Sequence, residues 1–146
     1  MPNYTQLSGE GSPMGNSVLL IEDEPNIVEA ISFLLERDGW TVRHHTEGVG
    51  AVDAVVAADP DVVVLDVMLP GRSGFEILRE LRQGAARANL PVLMLTAKGQ
   101  TKDRELAQSY GASCFMTKPF SNAEMLQTVR DLAEGRSPGW ASNVAS

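Results

Sequence analysis

The chain is poor in cysteine and in long apolar runs, and both shortages exclude classes of protein. Its single cysteine, Cys114, can form neither an internal disulfide nor a multi-cysteine zinc site. Because Cys114 lies inside an apolar run, we expect a buried, inert thiol. No apolar stretch approaches membrane-spanning length, and the N-terminus lacks the basic-then-apolar pattern of a signal peptide. We therefore predict a cytoplasmic protein without membrane insertion.

Positive charge is also scarce, and this indicates which partners the protein binds. The 146 residues include 12 Lys and Arg against 19 Asp and Glu, for a formal net charge of −7. The basic residues form no cluster of the kind on which direct nucleic-acid binding depends. The composition is typical of a protein that binds other proteins.

The hydrophobic pattern predicts one folded domain between two tails. Residues 1–16 are rich in Gly and Ser and are predicted to be a flexible leader. Residues 17–135 are predicted to fold, and residues 136–146 to be a flexible tail. Within the domain, strands are predicted at 18–22, 40–44, 62–65, 91–95 and 114–117.

Five helical patterns alternate with these strands. They begin at Pro25, near 47, at about Phe75, at 102 and after Ser121, which starts a capping box with Glu124. Of the five predicted helices, the one over 102–110 has the narrowest apolar face. Alternating strands and helices predict an α/β fold: a flavodoxin-like, doubly wound parallel sheet with helices on both faces.

Polar side chains follow four of the five predicted strands. Glu22 and Asp23 follow the first, Asp66 ends the third, Thr96 follows the fourth and Lys118 follows the fifth. The carboxyl ends of parallel strands meet at one edge of the sheet, where ligands bind. This convergence favours the strand order 2-1-3-4-5, with strands 1 and 3 beside the switch point.

The chemistry of this cluster indicates phosphoryl transfer. Three carboxylates in one pocket repel one another, and oxygen ligands without His or Cys select a hard cation such as Mg²⁺. One carboxylate can then act as a nucleophile toward phosphorus. Lys118 and Thr96 would supply a positive charge and a hydroxyl donor to phosphoryl oxygens. The sequence has no P-loop, so free ATP is not the expected donor.

These residues resemble the receiver domain of two-component response regulators, over about residues 17–135. The motifs are Glu22-Asp23, Asp66 with Met68-Leu69-Pro70-Gly71, Thr96-Ala97 and Lys118-Pro119-Phe120. The spacings, 30 residues from Asp66 to Thr96 and 22 from Thr96 to Lys118, also fit the family.

The resemblance implies a function for each of these positions. Asp66 would accept a phosphoryl group from a sensor histidine kinase or a histidine phosphotransfer protein, with Thr96 and Lys118 assisting. Glu22, Asp23, the Asp66 carboxylate and the Met68 backbone carbonyl would hold Mg²⁺. The Lys118–Pro119 bond would be cis.

The resemblance also implies a conformational switch. Phosphorylation would draw Thr96 inward and let Phe115 rotate into the space released, although Phe115 as an ordinary core residue remains an alternative. Family members tune acyl-phosphate hydrolysis at the positions of Met68 and Lys98. Because Met68 cannot hydrogen-bond an attacking water, we expect slow decay.

The sequence leaves several hypotheses about the function open. The first is a stand-alone signalling switch acting on a separate downstream effector, which would catalyse at most its own phosphorylation and dephosphorylation. The second is the receiver fragment of a larger regulator such as a transcription factor. A flavin or nucleotide carrier would need a phosphate-binding loop in place of the acidic one after the first strand. A metal-dependent phosphohydrolase would need a general acid and a substrate pocket that the sequence does not indicate.

Overall fold

The computed structural model describes residues 16–97 and 101–136, apart from the side chain of Ala86. The predicted leader and tail therefore lie outside the described residues except for Asn16 and Arg136, and Lys98 lies outside them as well.

Five parallel strands form one sheet: β1 Ser17–Ile21, β2 Thr41–His45, β3 Val62–Asp66, β4 Val92–Thr96 and β5 Cys114–Thr117. The helices between and after them are α1 Pro25–Arg37, α2 Ala51–Ala58, α3 Gly74–Gln83, α4 Thr101–Ser109 and α5 Asn122–Ala133. The strand order is β2-β1-β3-β4-β5. The predicted fold class and strand order are confirmed.

The hydrophobic core has two halves, one on each face of the sheet. Because successive residues of a strand point to opposite faces, Leu19 and Ile21 pack under α2, α3 and α4 while Val18 and Leu20 pack under α1 and α5. Central strand β3 is buried at every position, as its unbroken apolar run predicts. None of the described helices combines the length and apolarity needed to cross a bilayer.

Local sequence signals explain where most helices begin. Pro25 is the first residue of α1, where a missing N–H costs nothing. The hydroxyl of Ser121 accepts a hydrogen bond of 3.0 Å from the Glu124 backbone N–H and caps α5. Helix α2 begins at Ala51 rather than near 47, because Gly50 has a φ of +77°, in the left-handed region that helices exclude. A short 3-10 helix at Ala85–Arg87 was not predicted, since its sequence has no apolar periodicity.

Candidate functional site

The parallel register brings the carboxyl ends of four strands to one edge of the sheet. Ile21 of β1 pairs with Leu65 of β3, and Thr96 of β4 pairs with Thr117 of β5. The residues that follow these pairs therefore emerge side by side. Glu22, Asp66, Thr96 and Lys118 come together here, as the sequence predicted.

Three carboxylates form a compact cluster at this edge. Glu22, Asp23 and Asp66 each offer one oxygen, and these oxygens all lie within 4.8 Å of one another. Glu22 is 0% exposed and Asp66 is 3% exposed, whereas Asp23 is open to solvent. The Met68 backbone N–H donates a hydrogen bond of 3.3 Å to Asp66 Oδ1 and orients that carboxylate.

The environment of Asp66 disfavours its ionised form. Burial, followed by the nearby Glu22 carboxylate, raises the pKa of Asp66 from 3.8 to about 7, while Lys118 and the Met68 N–H oppose the rise. A cation bound beside Asp66 would favour its ionised form.

Lys118 contacts carboxylates on two elements. Its Nζ lies 2.9 Å from Glu22 Oε1, 3.0 Å from Glu24 Oε1 and 3.5 Å from Asp66 Oδ2. Burial of the ammonium opposes its charge, but the Glu22 and Glu24 carboxylates outweigh this and raise the pKa of Lys118. The peptide bond from Lys118 to Pro119 is cis, as the resemblance implied. This ammonium is therefore charged and close to the candidate acceptor.

Thr96 and Phe115 are both buried and lie on the paired strands β4 and β5. Thr96 is 1% exposed, and its carbonyl accepts a hydrogen bond of 2.7 Å from the Lys118 backbone N–H. Phe115 is fully buried in the core half under α4, and Arg104 Cζ lies 5.4 Å from the centre of its ring. Thr96 and Asp23 also line one open cleft of about 980 Å³.

Comparison with known proteins identifies the family of this chain. The family model of the response regulator receiver domain matches residues 18–130. The chain belongs to that family. It is a receiver domain of two-component response regulators, as the sequence motifs predicted.

Solved structures agree with this assignment. The receiver domain is similar to a LuxR-family two-component response regulator from Aurantimonas sp., at 30% identity and a TM-score of 0.77, covering 88% of this chain and 94% of that one. It is also similar to the chemotaxis response regulator CheY4 of Vibrio cholerae, at 27% identity and a TM-score of 0.75, covering 80% and 98%. A third similar structure is the signal receiver domain of a signal transduction histidine kinase from Syntrophus aciditrophicus. It is 27% identical with a TM-score of 0.76, and the match covers 85% of this chain and 94% of that one.

The donor set of this receiver domain fits a hard divalent cation. Glu22 Oε1 is buried, and its positive partner among the described residues is Lys118 Nζ, 2.9 Å away, which Glu24 and Asp66 also contact. Carboxylates that share a single ammonium keep uncompensated negative charge, which a bound cation would neutralise. The cluster offers only oxygen ligands, which Mg²⁺ prefers.

Sequence reasoning missed two contacts in the receiver domain. Glu24 belongs to the acidic loop after β1, and its carboxylate binds Lys118, 94 residues away. The available signal was a third consecutive acid at the edge of the sheet where Lys118 was expected. The position of Arg104 over Phe115 gave no signal, because the pattern of α4 was interpreted only through its apolar residues.

Proposed function

We propose that this receiver domain is a phosphorylation-controlled signalling switch whose phosphoryl acceptor is Asp66. The donor would be a histidine kinase or a histidine phosphotransfer protein, and the reaction would depend on Mg²⁺. One observation carries this proposal: the buried Asp66 carboxylate lies beside a second buried carboxylate, Glu22, and 3.5 Å from the ammonium of Lys118.

The proposed reaction is the transfer of one phosphoryl group. An Asp66 carboxylate oxygen attacks phosphorus, the bond from phosphorus to the donor histidine nitrogen breaks, and that nitrogen retains the electron pair. The product is an acyl phosphate on Asp66. Such reactions require mainly positioning and charge neutralisation, and Lys118 and Thr96 are proposed to bind the phosphoryl oxygens.

Glu22, Asp23, the Asp66 carboxylate and the Met68 backbone carbonyl would hold Mg²⁺. When bound, the ion would supply positive charge against the phosphoryl oxygens. The compact acidic cluster and the buried oxygen of Glu22 support this assignment.

The proposed output is a change in the surface that a downstream effector recognises. Thr96 would move toward the phosphoryl group, and Phe115 would rotate into the space released. Helix α4, next to this pair, has Ala107 as its single buried residue among those described. Few packing contacts therefore oppose its displacement. We propose the folded unit as residues 17–135, flanked by the leader 1–16 and the tail 136–146, and a cytoplasmic location.

The experiment is phosphorylation of the full chain by acetyl phosphate, followed by intact mass and by loss of the label in hydroxylamine. We expect the native sequence to gain one phosphoryl group only when Mg²⁺ is present, and Asp66→Asn to gain none. Asp53→Asn, which alters an exposed aspartate on α2, is the matched control and should be labelled like the native sequence. Full, hydroxylamine-labile labelling of Asp66→Asn would place the phosphoryl group on another residue and would refute the assignment.

A further inference from the structure

Glu24, which lies outside the three-carboxylate cluster, is a closer partner of Lys118 than Asp66 is. Lys118 Nζ lies 3.0 Å from Glu24 Oε1 and 3.5 Å from Asp66 Oδ2. The Lys118 side chain is 11% exposed, whereas the Glu24 side chain is 59% exposed. The ammonium is therefore shared between the acceptor carboxylate and a solvated carboxylate above it.

The loop backbone presents Glu24 to Lys118. Glu24 is the N-cap of α1, and its carbonyl accepts hydrogen bonds of 3.0 Å from the N–H groups of Ile27 and Val28. Its own N–H donates a hydrogen bond of 3.1 Å to Glu22 Oε2. The Glu24 side chain makes no capping hydrogen bond to the helix. Its carboxylate is therefore directed at Lys118 rather than at the start of α1.

A phosphoryl group on Asp66 would compete with Glu24 for this ammonium. An ammonium has three N–H donors, and three carboxylates already lie within 3.5 Å of Lys118 Nζ. A phosphoryl group brings three strong acceptor oxygens. To bind one of them, Lys118 must give up at least part of an existing contact.

The exposure of the two glutamates decides which contact is given up. Glu22 is completely buried, so its carboxylate would lose a positive partner without gaining water. Glu24 is mostly exposed, so water can replace the ammonium at little cost. The contact with Glu24 is therefore the one that yields.

We propose that Glu24 is a positioning residue that restrains Lys118 and thereby weakens the affinity of the site for a phosphoryl group. The inference rests on the proposed function, because it assumes that Asp66 is the acceptor. Removing the contact should let Lys118 turn fully toward the phosphoryl oxygens. Glu24 thus sets how readily the domain changes to its phosphorylated state.

Two substitutions at Glu24 distinguish the effect of its ion pair with Lys118 from the effect of its negative charge. Glu24→Gln removes both the charge and the ion pair. Glu24→Asp keeps the charge, but its shorter carboxylate favours capping α1, since aspartate is a preferred N-cap residue. Glu29→Gln is the matched control, because Glu29 is exposed on the same helix and shares a groove with Asp23. It lies beyond ion-pair distance of Lys118, whose described ion pairs are those with Glu22, Glu24 and Asp66.

The experiment titrates beryllofluoride, a phosphoryl mimic, into the full chain with Mg²⁺, with lysines labelled for NMR of the side-chain ammonium. The protein has three lysines, Lys98, Lys102 and Lys118, and Lys118→Arg identifies the resonance of Lys118. We expect both Glu24 variants to bind beryllofluoride about two- to fivefold more tightly, within the range known for exposed ion pairs. The Lys118 resonance should shift in both Glu24 variants before any beryllofluoride is added, and Glu29→Gln should match the native sequence in both measurements.

Other outcomes would overturn the inference. Equal gains in Glu24→Gln and Glu29→Gln would assign the effect to overall charge. Unchanged or weaker binding in the Glu24 variants, or an unmoved Lys118 resonance, would exclude a restraint by Glu24. If the native sequence itself binds no beryllofluoride, the proposed function fails together with the inference. If it binds and the Glu24 variants do not differ from it, the inference fails alone.

Discussion

Gly74, the first residue of α3, packs directly against the backbone of Asp66. A β-carbon on Gly74 would lie 2.2 Å from the Asp66 carbonyl oxygen and 2.9 Å from Val67 Cα. The Gly74 N–H also donates a hydrogen bond of 2.8 Å to the Val67 carbonyl. Helix α3, which follows β3, thus begins in contact with the proposed acceptor residue, and glycine is required there for space. Gly71, by contrast, has a φ of +86°, in the left-handed region that favours glycine.

The first prediction concerns this contact. Gly74→Ala should lower the free energy of unfolding by about 1–3 kcal/mol or more, because the added methyl group meets backbone that must move. It should also slow the proposed phosphorylation of Asp66. Gly84→Ala is the control, since the nearest atom to its new β-carbon would be 3.6 Å away. Urea unfolding measures both variants, and equal stabilities would contradict the steric argument.

The second prediction concerns metal binding to the acidic cluster. Mg²⁺ should raise the stability of the native sequence, by about 2.7 kcal/mol at a hundredfold excess over its dissociation constant. Asp66→Asn should be stabilised less, because one ligand oxygen loses its charge. In EDTA the same variant should be more stable than the native sequence, since repulsion between Asp66 and Glu22 is removed. Thermal unfolding with and without Mg²⁺ tests this, and an identical Mg²⁺ response in both proteins would count against the site.

The third prediction is a pH dependence far from the site. Hydrogen bonds from Arg130 lower the pKa of Asp38 below 3.8, and a bond of 3.1 Å from Trp40 Nε1 lowers it further. The stabilisation that ionised Asp38 contributes is therefore complete above 3.8, the pKa of Asp38 in the unfolded chain. It is lost as the pH falls through the lower pKa of Asp38 in the folded protein. Asp38→Asn should be less stable than the native sequence at neutral pH. The difference should shrink in acid.

Urea unfolding across an acidic pH series, followed by tryptophan fluorescence, measures this difference. A difference between the native sequence and Asp38→Asn that stays constant down to the most acidic point would show that the ion pair is not its source.

The fourth prediction concerns the lifetime of the proposed acyl phosphate. Met68 is 65% exposed, two residues after Asp66, and its side chain has no hydrogen-bond donor and only a weakly accepting sulfur with which to orient an attacking water. We expect slow hydrolysis in the native sequence and faster hydrolysis in Met68→Asn, which introduces such a group. Met68→Leu should decay like the native sequence. Decay of the native acyl phosphate within seconds would contradict this prediction.

Much of the fold could be predicted because its signals are local. The unbroken apolar run of β3, the proline that begins α1 and the capping serine before α5 each act within a few residues. The meeting of Glu22, Asp66, Thr96 and Lys118 was also predictable, since parallel strands deliver their last residues to one edge. The start of α2 was predicted too early, because the left-handed conformation of Gly50 depends on how its loop packs.

The strand order, the family and the residues at the edge of the sheet could be predicted from the amino-acid sequence alone. The reason is that hydrophobic periodicity and the residue types at the strand ends are local features of the sequence. Only the tertiary structure decided that Lys118 lies closer to Glu24 than to Asp66, and that Gly74 touches the backbone of Asp66. Those relationships depend on distances of a few ångströms between elements that meet only when the core has packed. No local pattern encodes such distances.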